Sequence, residues 1–114
     1  MRKAELLYRR HNKKPIIIGS LLYDGHKYTF TYHRSVFNSR EGSRLIRVLP
    51  FPKNDVATGS RLFPFFKRRL PDKKRHDYNR ILSRNRIEDG DELSLLLAKK
   101  GKLQTDSFEI REVK

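Results

Sequence analysis

Four histidines are the natural starting point for chemistry in this sequence, because imidazole both binds metals and transfers protons near neutral pH. They stand in turns or charged stretches, without metal-ligand spacing, at His11, His26, His33 and His76. The sequence offers no paired histidine and aspartate that would activate a serine. It also lacks cysteine, phosphate-binding glycine motifs and the H-E-x-x-H zinc motif. We therefore expect no catalytic residues, no enzymatic activity, no cofactor and no metal.

Three acidic residues, Asp89, Asp91 and Glu92, resemble part of a calcium-binding loop. Gly90 is misplaced for such a loop, and leucines stand where further oxygen ligands should follow. A helix explains the cluster better, because negative side chains stabilise a helix N-terminus. The following leucines then form an apolar stripe, and Gly101 ends the predicted helix.

The positive charge of the chain is large and unevenly distributed. The 114 residues carry a net charge of +14, and residues 61–86 contain 10 basic and 2 acidic side chains. Such a field favours nucleic acid, an anionic surface or an acidic protein partner, although a solvated basic surface is the simpler alternative. The candidate contacts to phosphate or to an acidic partner are Arg68, Arg69, Lys73, Lys74 and Arg75.

The N-terminal third has the pattern of an antiparallel sheet. Residues 4–9 suit a strand or a short helix, residues 16–23 are apolar and β-branched, and Asp24-Gly25 is a hairpin signal. Residues 27–32 alternate, so that Tyr28, Phe30 and Tyr32 share one face. This aromatic stripe could stack on unpaired bases, but we favour the core face of a sheet. Residues 44–49 are predicted as a further strand.

The C-terminal half has helical spacing before a final strand. Residues 62–70 are expected to form a helix capped by Ser60, with Pro64 in its first turn. A second helix is predicted over 73–84, a third over the leucine stripe, and a strand over 107–113. The predicted fold is α+β, a small antiparallel or mixed sheet packed against about three short helices, in a single domain of residues 1–114.

The apolar run at residues 16–23 also bears on localisation. It is too short to cross a bilayer, and it lacks the small-residue cleavage site of a signal peptide. We therefore expect a cytoplasmic protein without a membrane partner.

The stretch Leu62-Phe63-Pro64-Phe65-Phe66, which leads to Leu70-Pro71-Asp72, resembles a motif of the N-terminal subdomain of HipA-type serine/threonine kinase toxins. Those kinases carry F-x-F-F-x-x-x-L-P-D/E at this point. Two features depart from that pattern: Arg68-Arg69 precede the Leu-Pro-Asp triplet, and residues 102–106 replace a glycine-rich turn. The sequence ends where such a kinase would continue into its catalytic core, so we expect a stand-alone copy of the subdomain.

A stand-alone copy is similar to HipS, the small component of HipBST toxin–antitoxin systems. The resemblance implies an antitoxin-like protein that binds a HipT-like kinase toxin and neutralises it by docking on its N-lobe or active site. It also implies a complex with a HipB-like helix-turn-helix protein, which contacts the operator DNA. This chain would then touch DNA indirectly or through non-specific contacts.

The loop between the strand predicted over residues 44–49 and the helix predicted over residues 62–70 is our candidate kinase-binding segment. It joins two elements and carries polar side chains, although an ordinary connection would have the same composition. The predicted contact residues are Phe51, Lys53, Asn54, Asp55, Thr58, Ser60 and Arg61. The alternative function is a small basic nucleic-acid-binding module, which requires the aromatic stripe to be exposed.

Overall fold

The computed structural model describes residues 1–53, 56–88, 90–103 and 106–113. Within these ranges it contains five strands, four short α-helices and one 3-10 helix. In chain order the elements are β1 (Arg2–Arg10), β2 (Lys13–Tyr23), β3 (Tyr28–Tyr32), the 3-10 helix (Arg34–Asn38), α1 (Arg40–Val48), β4 (Ala57–Gly59), α2 (Pro64–Lys67), α3 (Tyr78–Arg84), α4 (Glu92–Ala98) and β5 (Phe108–Val113). The predicted α+β class is confirmed.

The five strands form one sheet in the order β4-β3-β2-β1-β5, and all neighbours are antiparallel. The predicted hairpin joins β2 to β3, where the Asp24 carboxylate accepts hydrogen bonds from the amides of His26 and Lys27. Gly25 adopts a φ of 99°, which glycine tolerates better than other residues. Residues 4–9 lie in β1, so the strand alternative for this segment is the correct one.

The two edges of the sheet differ in how they are covered. At the β5 edge, the Ile110 amide donates to the Lys100 carbonyl at 2.7 Å, and the Phe108 amide donates to the Asp106 carboxylate at 3.1 Å. The chain's own turns therefore occupy two amide groups of β5 that face away from β1. The opposite edge is β4, a strand of only three residues paired with β3.

The predicted strand over 44–49 is wrong, because residues 40–48 form helix α1. The Ser39 hydroxyl caps this helix by accepting a hydrogen bond from the Gly42 amide at 2.9 Å. Leu45 and Ile46 face the core. A side chain at Gly42 would collide with the Val36 carbonyl, so this glycine allows the helix to pack closely on the preceding 3-10 helix.

The remaining helices are shorter than predicted. Helix α2 covers only Pro64–Lys67, and Pro64 occupies its first turn as expected, but Ser60 does not cap it. Asp72 accepts a hydrogen bond from the Lys74 amide in a local turn rather than capping a helix, since α3 begins only at Tyr78. Helix α4 begins at its Asp91 cap, as predicted, and Gly101 follows it with a φ of 61°.

An aromatic cluster fills the core between the sheet and α2. The Phe30 ring stacks on Phe51 at a centroid distance of 4.0 Å, and Phe66 stacks on Phe51 at 5.8 Å. Tyr28, Phe30 and Tyr32 are each at most 8% exposed, which confirms the core interpretation of the aromatic stripe. The phenylalanines of residues 62–66 therefore stabilise the domain. No helix in the described ranges has the length and apolarity needed to span a membrane.

The pKa of Tyr28 provides a test of this packing. Burial is the largest cause that raises it, to about 12, with smaller contributions from Tyr23 and two acidic residues. The folded protein then holds the Tyr28 hydroxyl proton more tightly than the unfolded chain does. The free energy of unfolding should therefore fall as pH rises from about 10 towards 12. We expect Tyr28→Phe to lose less free energy of unfolding over that range in urea titrations. Equal alkaline losses in both proteins would contradict the assignment.

Candidate partner-binding surface

The predicted binding loop is anchored at both ends by buried side chains. Phe51 is 7% exposed, and its carbonyl oxygen accepts a hydrogen bond from the Tyr32 hydroxyl at 3.2 Å. Leu62 is 3% exposed at the other end. We therefore correct the assignment of Phe51 to the binding surface, because its ring belongs to the aromatic cluster of the core. Asn54 and Asp55 lie outside the described residues.

Four of the predicted contact residues, Lys53, Thr58, Ser60 and Arg61, are exposed, and we call them the edge loop. Thr58 lies on β4 opposite Thr29 of β3, so the sheet fixes the backbone in the middle of the loop. The four side chains supply two positive charges and two hydroxyl groups at an edge of the sheet. Such a set can contact acidic and hydrogen-bonding groups of a protein partner.

Arg69 has a structural position, which contradicts its prediction as a phosphate or partner contact. Its side chain is 4% exposed and pairs with the Asp106 carboxylate through two hydrogen bonds, of 2.6 and 3.1 Å. It also donates to the Gly101 carbonyl at 3.0 Å, and its guanidinium lies 4.5 Å from the Phe65 ring centroid. The guanidinium is therefore held inside the fold and is not available at the surface.

Three of the other predicted basic contacts, Arg68, Lys73 and Lys74, are exposed and line one cleft together with Lys67. The cleft has a volume of about 570 Å³ and lies between the segment 67–74, helix α3 and the start of α4. Its apolar lining comes from Leu70, Tyr78, Leu82 and Leu95, and its acidic lining from Asp72, Glu88, Asp91 and Glu92. The structure thus brings the three residues together, but it places acidic groups beside them.

The last of these predicted contacts, Arg75, is already paired. Its guanidinium donates two hydrogen bonds of 2.8 Å to the carboxylate of Asp77. This interaction is the largest cause that lowers the pKa of Asp77. A phosphate at this position would have to compete with a carboxylate only two residues away.

The remaining chemical candidates have structural roles or form no site. His33 accepts a hydrogen bond from the Ser35 amide and thereby caps the 3-10 helix. Asp91 accepts hydrogen bonds from both the amide and the hydroxyl of Ser94, so it caps α4. Across the described ranges, no group of three or more metal-ligating side chains comes together.

Comparison with known families shows to which family this chain belongs. Residues 13–102 match the family described as the HipA N-terminal domain, a range that runs from β2 to the turn after α4. The chain belongs to this family. The matched range includes the edge loop, the cleft and Arg69, and it confirms the resemblance first seen in Leu70-Pro71-Asp72. No protein of curated function and no solved structure matches the chain.

The fold explains the residue types in this motif. Phe65 and Phe66 are buried in the aromatic cluster. Leu70 packs against the main core and also against a smaller apolar cluster formed by Tyr78, Leu82 and Leu95. Pro71 and Asp72 then lead the chain through a turn towards α3. The motif thus has a packing role, which is consistent with the core position of the phenylalanines.

The corrected role of Arg69 is testable by stability measurements. Arg69→Met should lower the free energy of unfolding by about 2–4 kcal/mol, because it removes the charged partner of the Asp106 carboxylate and the donor to the Gly101 carbonyl. Urea unfolding followed by far-UV circular dichroism measures this loss. Arg68→Met is the matched control, since the neighbouring side chain is exposed and its removal should cost under about 0.5 kcal/mol. Similar losses for both variants would contradict the structural role.

Proposed function

We propose that this chain is an antitoxin-like, non-enzymatic protein that binds a HipT-like serine/threonine kinase and restrains it. The observation that carries the proposal is membership of the HipA N-terminal domain family over residues 13–102. In the proposed role the domain acts as a separate binding partner of the kinase. A HipB-like helix-turn-helix protein completes the proposed complex, which functions in the cytoplasm.

The edge loop is the surface that we propose for kinase binding. Its side chains are exposed, while Phe51 and Leu62 hold its two ends in the core. Backbone held in this way at Phe51, β4 and Leu62 loses little conformational freedom on binding, which favours a tight contact. Its two positive charges suit an acidic surface on the kinase, and the net charge of +14 would accelerate encounter with such a surface.

The proposed inhibition works by docking and obstruction rather than by insertion of a large aromatic plug. The sequence contains no tryptophan, and Phe51 is buried. Val56 is an exposed apolar side chain of this segment, at 43%, but it is not aromatic. Polar and charged contacts from Lys53, Thr58 and Arg61 would therefore provide most of the specificity. Such contacts can hold the N-lobe in an inactive arrangement or cover its active site.

The alternative of a base-stacking nucleic-acid module receives less support. It needs an exposed aromatic stripe on the sheet, whereas Tyr28, Phe30 and Tyr32 are buried. The net positive charge fits both functions and does not distinguish them.

The first experiment is co-purification of the tagged chain with the products of the reading frames that flank its gene. The proposal expects a stoichiometric complex with a HipA-like kinase that lacks its own N-terminal subdomain. Kinase autophosphorylation, measured with and without this chain, then reports inhibition. Recovery of nucleic acid alone, lost at high salt, would contradict the proposal.

The edge loop is tested in the same kinase assay by the triple variant Lys53→Ala, Thr58→Ala and Arg61→Ala. We expect the concentration needed for half-maximal inhibition to rise at least about tenfold, since a few residues usually dominate an interface.

The matched control replaces Arg80, Ser83 and Arg84 on the exposed side of α3 by alanine, which removes the same charge and one hydroxyl. This control should inhibit like the wild type. Unchanged inhibition by the edge-loop variant would move the binding site elsewhere, while leaving kinase binding itself intact.

A further inference from the structure

Helix α1 carries a row of arginines on its outer face. Arg40, Arg44 and Arg47 are all exposed, and we call them the arginine stripe. Leu45 and Ile46 are buried on the opposite face. The strand predicted over residues 44–49 would have placed Arg44 and Arg47 on opposite faces. The stripe therefore becomes visible only once the segment is known to be helical.

Helical geometry places the stripe directly away from the core. At about 100° per residue, the three arginines fall within an arc of about 60°, roughly opposite the centre of the buried face. At a rise of about 1.5 Å per residue, they extend over about 10 Å along the helix axis. The guanidinium groups can therefore meet one extended partner at the same time.

These arginines are free to bind a partner. Residues 30–53 contain a single acidic residue, Glu41, and five lysines or arginines. Glu41 pairs with Arg10 at 3.3 Å rather than with the stripe. None of the three arginines has an ion pair or a side-chain hydrogen bond with any other residue in the described ranges. Their charge is therefore not neutralised by any of the described residues.

The tip of the β1–β2 hairpin extends the same basic surface. Arg10 donates one hydrogen bond to the Lys14 carbonyl at 2.8 Å, while another of its nitrogen atoms pairs with Glu41 of α1. These contacts hold the tip beside the first turn of the helix. Lys13 and Lys14 are exposed there.

We propose that the arginine stripe binds the phosphate backbone of duplex DNA without selecting a base sequence. Duplex DNA presents one negative charge about every 1.7 Å of its axis, so a stripe of about 10 Å can place each guanidinium near a phosphate. Arginine can donate two parallel hydrogen bonds to one phosphate group. This surface is separate from the edge loop in sequence and does not depend on kinase binding.

Duplex DNA fits this surface better than a single strand does. Binding of single strands relies on aromatic side chains that stack on unpaired bases, and the aromatic stripe of the sheet is buried. The helix instead offers regularly spaced positive charge, which matches a regular phosphate array. Contacts of this kind fix a protein on DNA but carry no sequence information.

The experiment measures binding of the whole chain to a fluorescently labelled 20-base-pair duplex of arbitrary sequence, by anisotropy between 50 and 200 mM salt. The plot of log affinity against log salt should be linear for the wild type. Removing three phosphate contacts in Arg40→Gln, Arg44→Gln and Arg47→Gln should reduce the magnitude of the slope by about 2–3. Affinity at 50 mM salt should fall at least about tenfold.

Two control variants show whether the effect comes from the position of the arginines or only from the net charge of the protein. Arg68→Gln, Lys73→Gln and Lys74→Gln remove the same three charges from the cleft and should change the slope by less than one. The variant Arg40→Lys, Arg44→Lys and Arg47→Lys keeps the three positive charges and should therefore keep the slope of the salt dependence. Circular dichroism verifies that each variant is folded.

Three outcomes would overturn the proposal. Equal reductions in slope for the stripe and cleft variants would show that only total charge matters. Tighter binding to a single strand of the same sequence would assign the surface to another ligand. Absence of duplex binding at 50 mM salt would exclude a phosphate-binding stripe, and would leave the kinase-binding proposal unaffected.

Discussion

The buried guanidinium of Arg69 is the constraint on which the C-terminal half of this domain depends. It connects α2 to the Gly101 carbonyl and to the Asp106 carboxylate, which directly precedes β5. It also lies against the rings of Phe65 and Phe108, at 4.5 and 5.5 Å from their centroids. Only a planar, permanently charged group with several donors can make these contacts together, so lysine is a poor substitute. The position of β5 beside β1 and the exit from α4 are thereby linked to the phenylalanine-rich motif.

The basic residues of the chain divide into structural and available groups. Arg69 and Arg75 have carboxylate partners, as do Arg2, Arg9, Arg10 and Arg111 in or beside the sheet. The arginine stripe, the edge loop and the basic side of the cleft remain exposed. Net charge alone therefore says little about function, because paired arginines contribute to stability and only the unpaired ones create a surface for a partner. The surface proposed for kinase binding and the arginine stripe use different parts of this available set.

Sequence patterns predicted correctly those elements whose conformation depends mainly on neighbouring residues in the chain. The Asp24-Gly25 turn and the alternation of Tyr28, Phe30 and Tyr32 gave the hairpin and its buried face. Residues 44–49 misled, because four apolar residues and two arginines before a proline resemble a short strand, in a window too short to separate strand from helix. The useful signal lay upstream, in the Ser39 cap, and in the close spacing of Leu45 and Ile46.

The candidate sites depended more on tertiary contacts than the fold did. Arg69 was assigned to the surface because its neighbours are basic, and its partner Asp106 is 37 residues away. Likewise, Phe51 resembles a loop residue in sequence, although its ring completes a cluster built from β3 and α2. The polar character of the edge loop agrees with the exposure of its side chains. Residue type can therefore predict exposure, although it does not predict tertiary contacts. Partner preference follows from the folded surface and the family, not from these residue types alone.

The unequal edges of the sheet also limit how copies of this protein can associate. The first outward amides of β5 are already bonded to the chain's own turns, so a strand added at this edge would find no free amide at Phe108 or Ile110. Growth of a fibre by strand addition needs two open, complementary edges on every copy. Two copies joined through their β4 strands would form a closed, two-fold dimer rather than a fibre, because the same edge of each copy would be used up. The turn after α4 thus removes part of one sheet edge from strand addition, which makes open-ended growth through β5 less favourable.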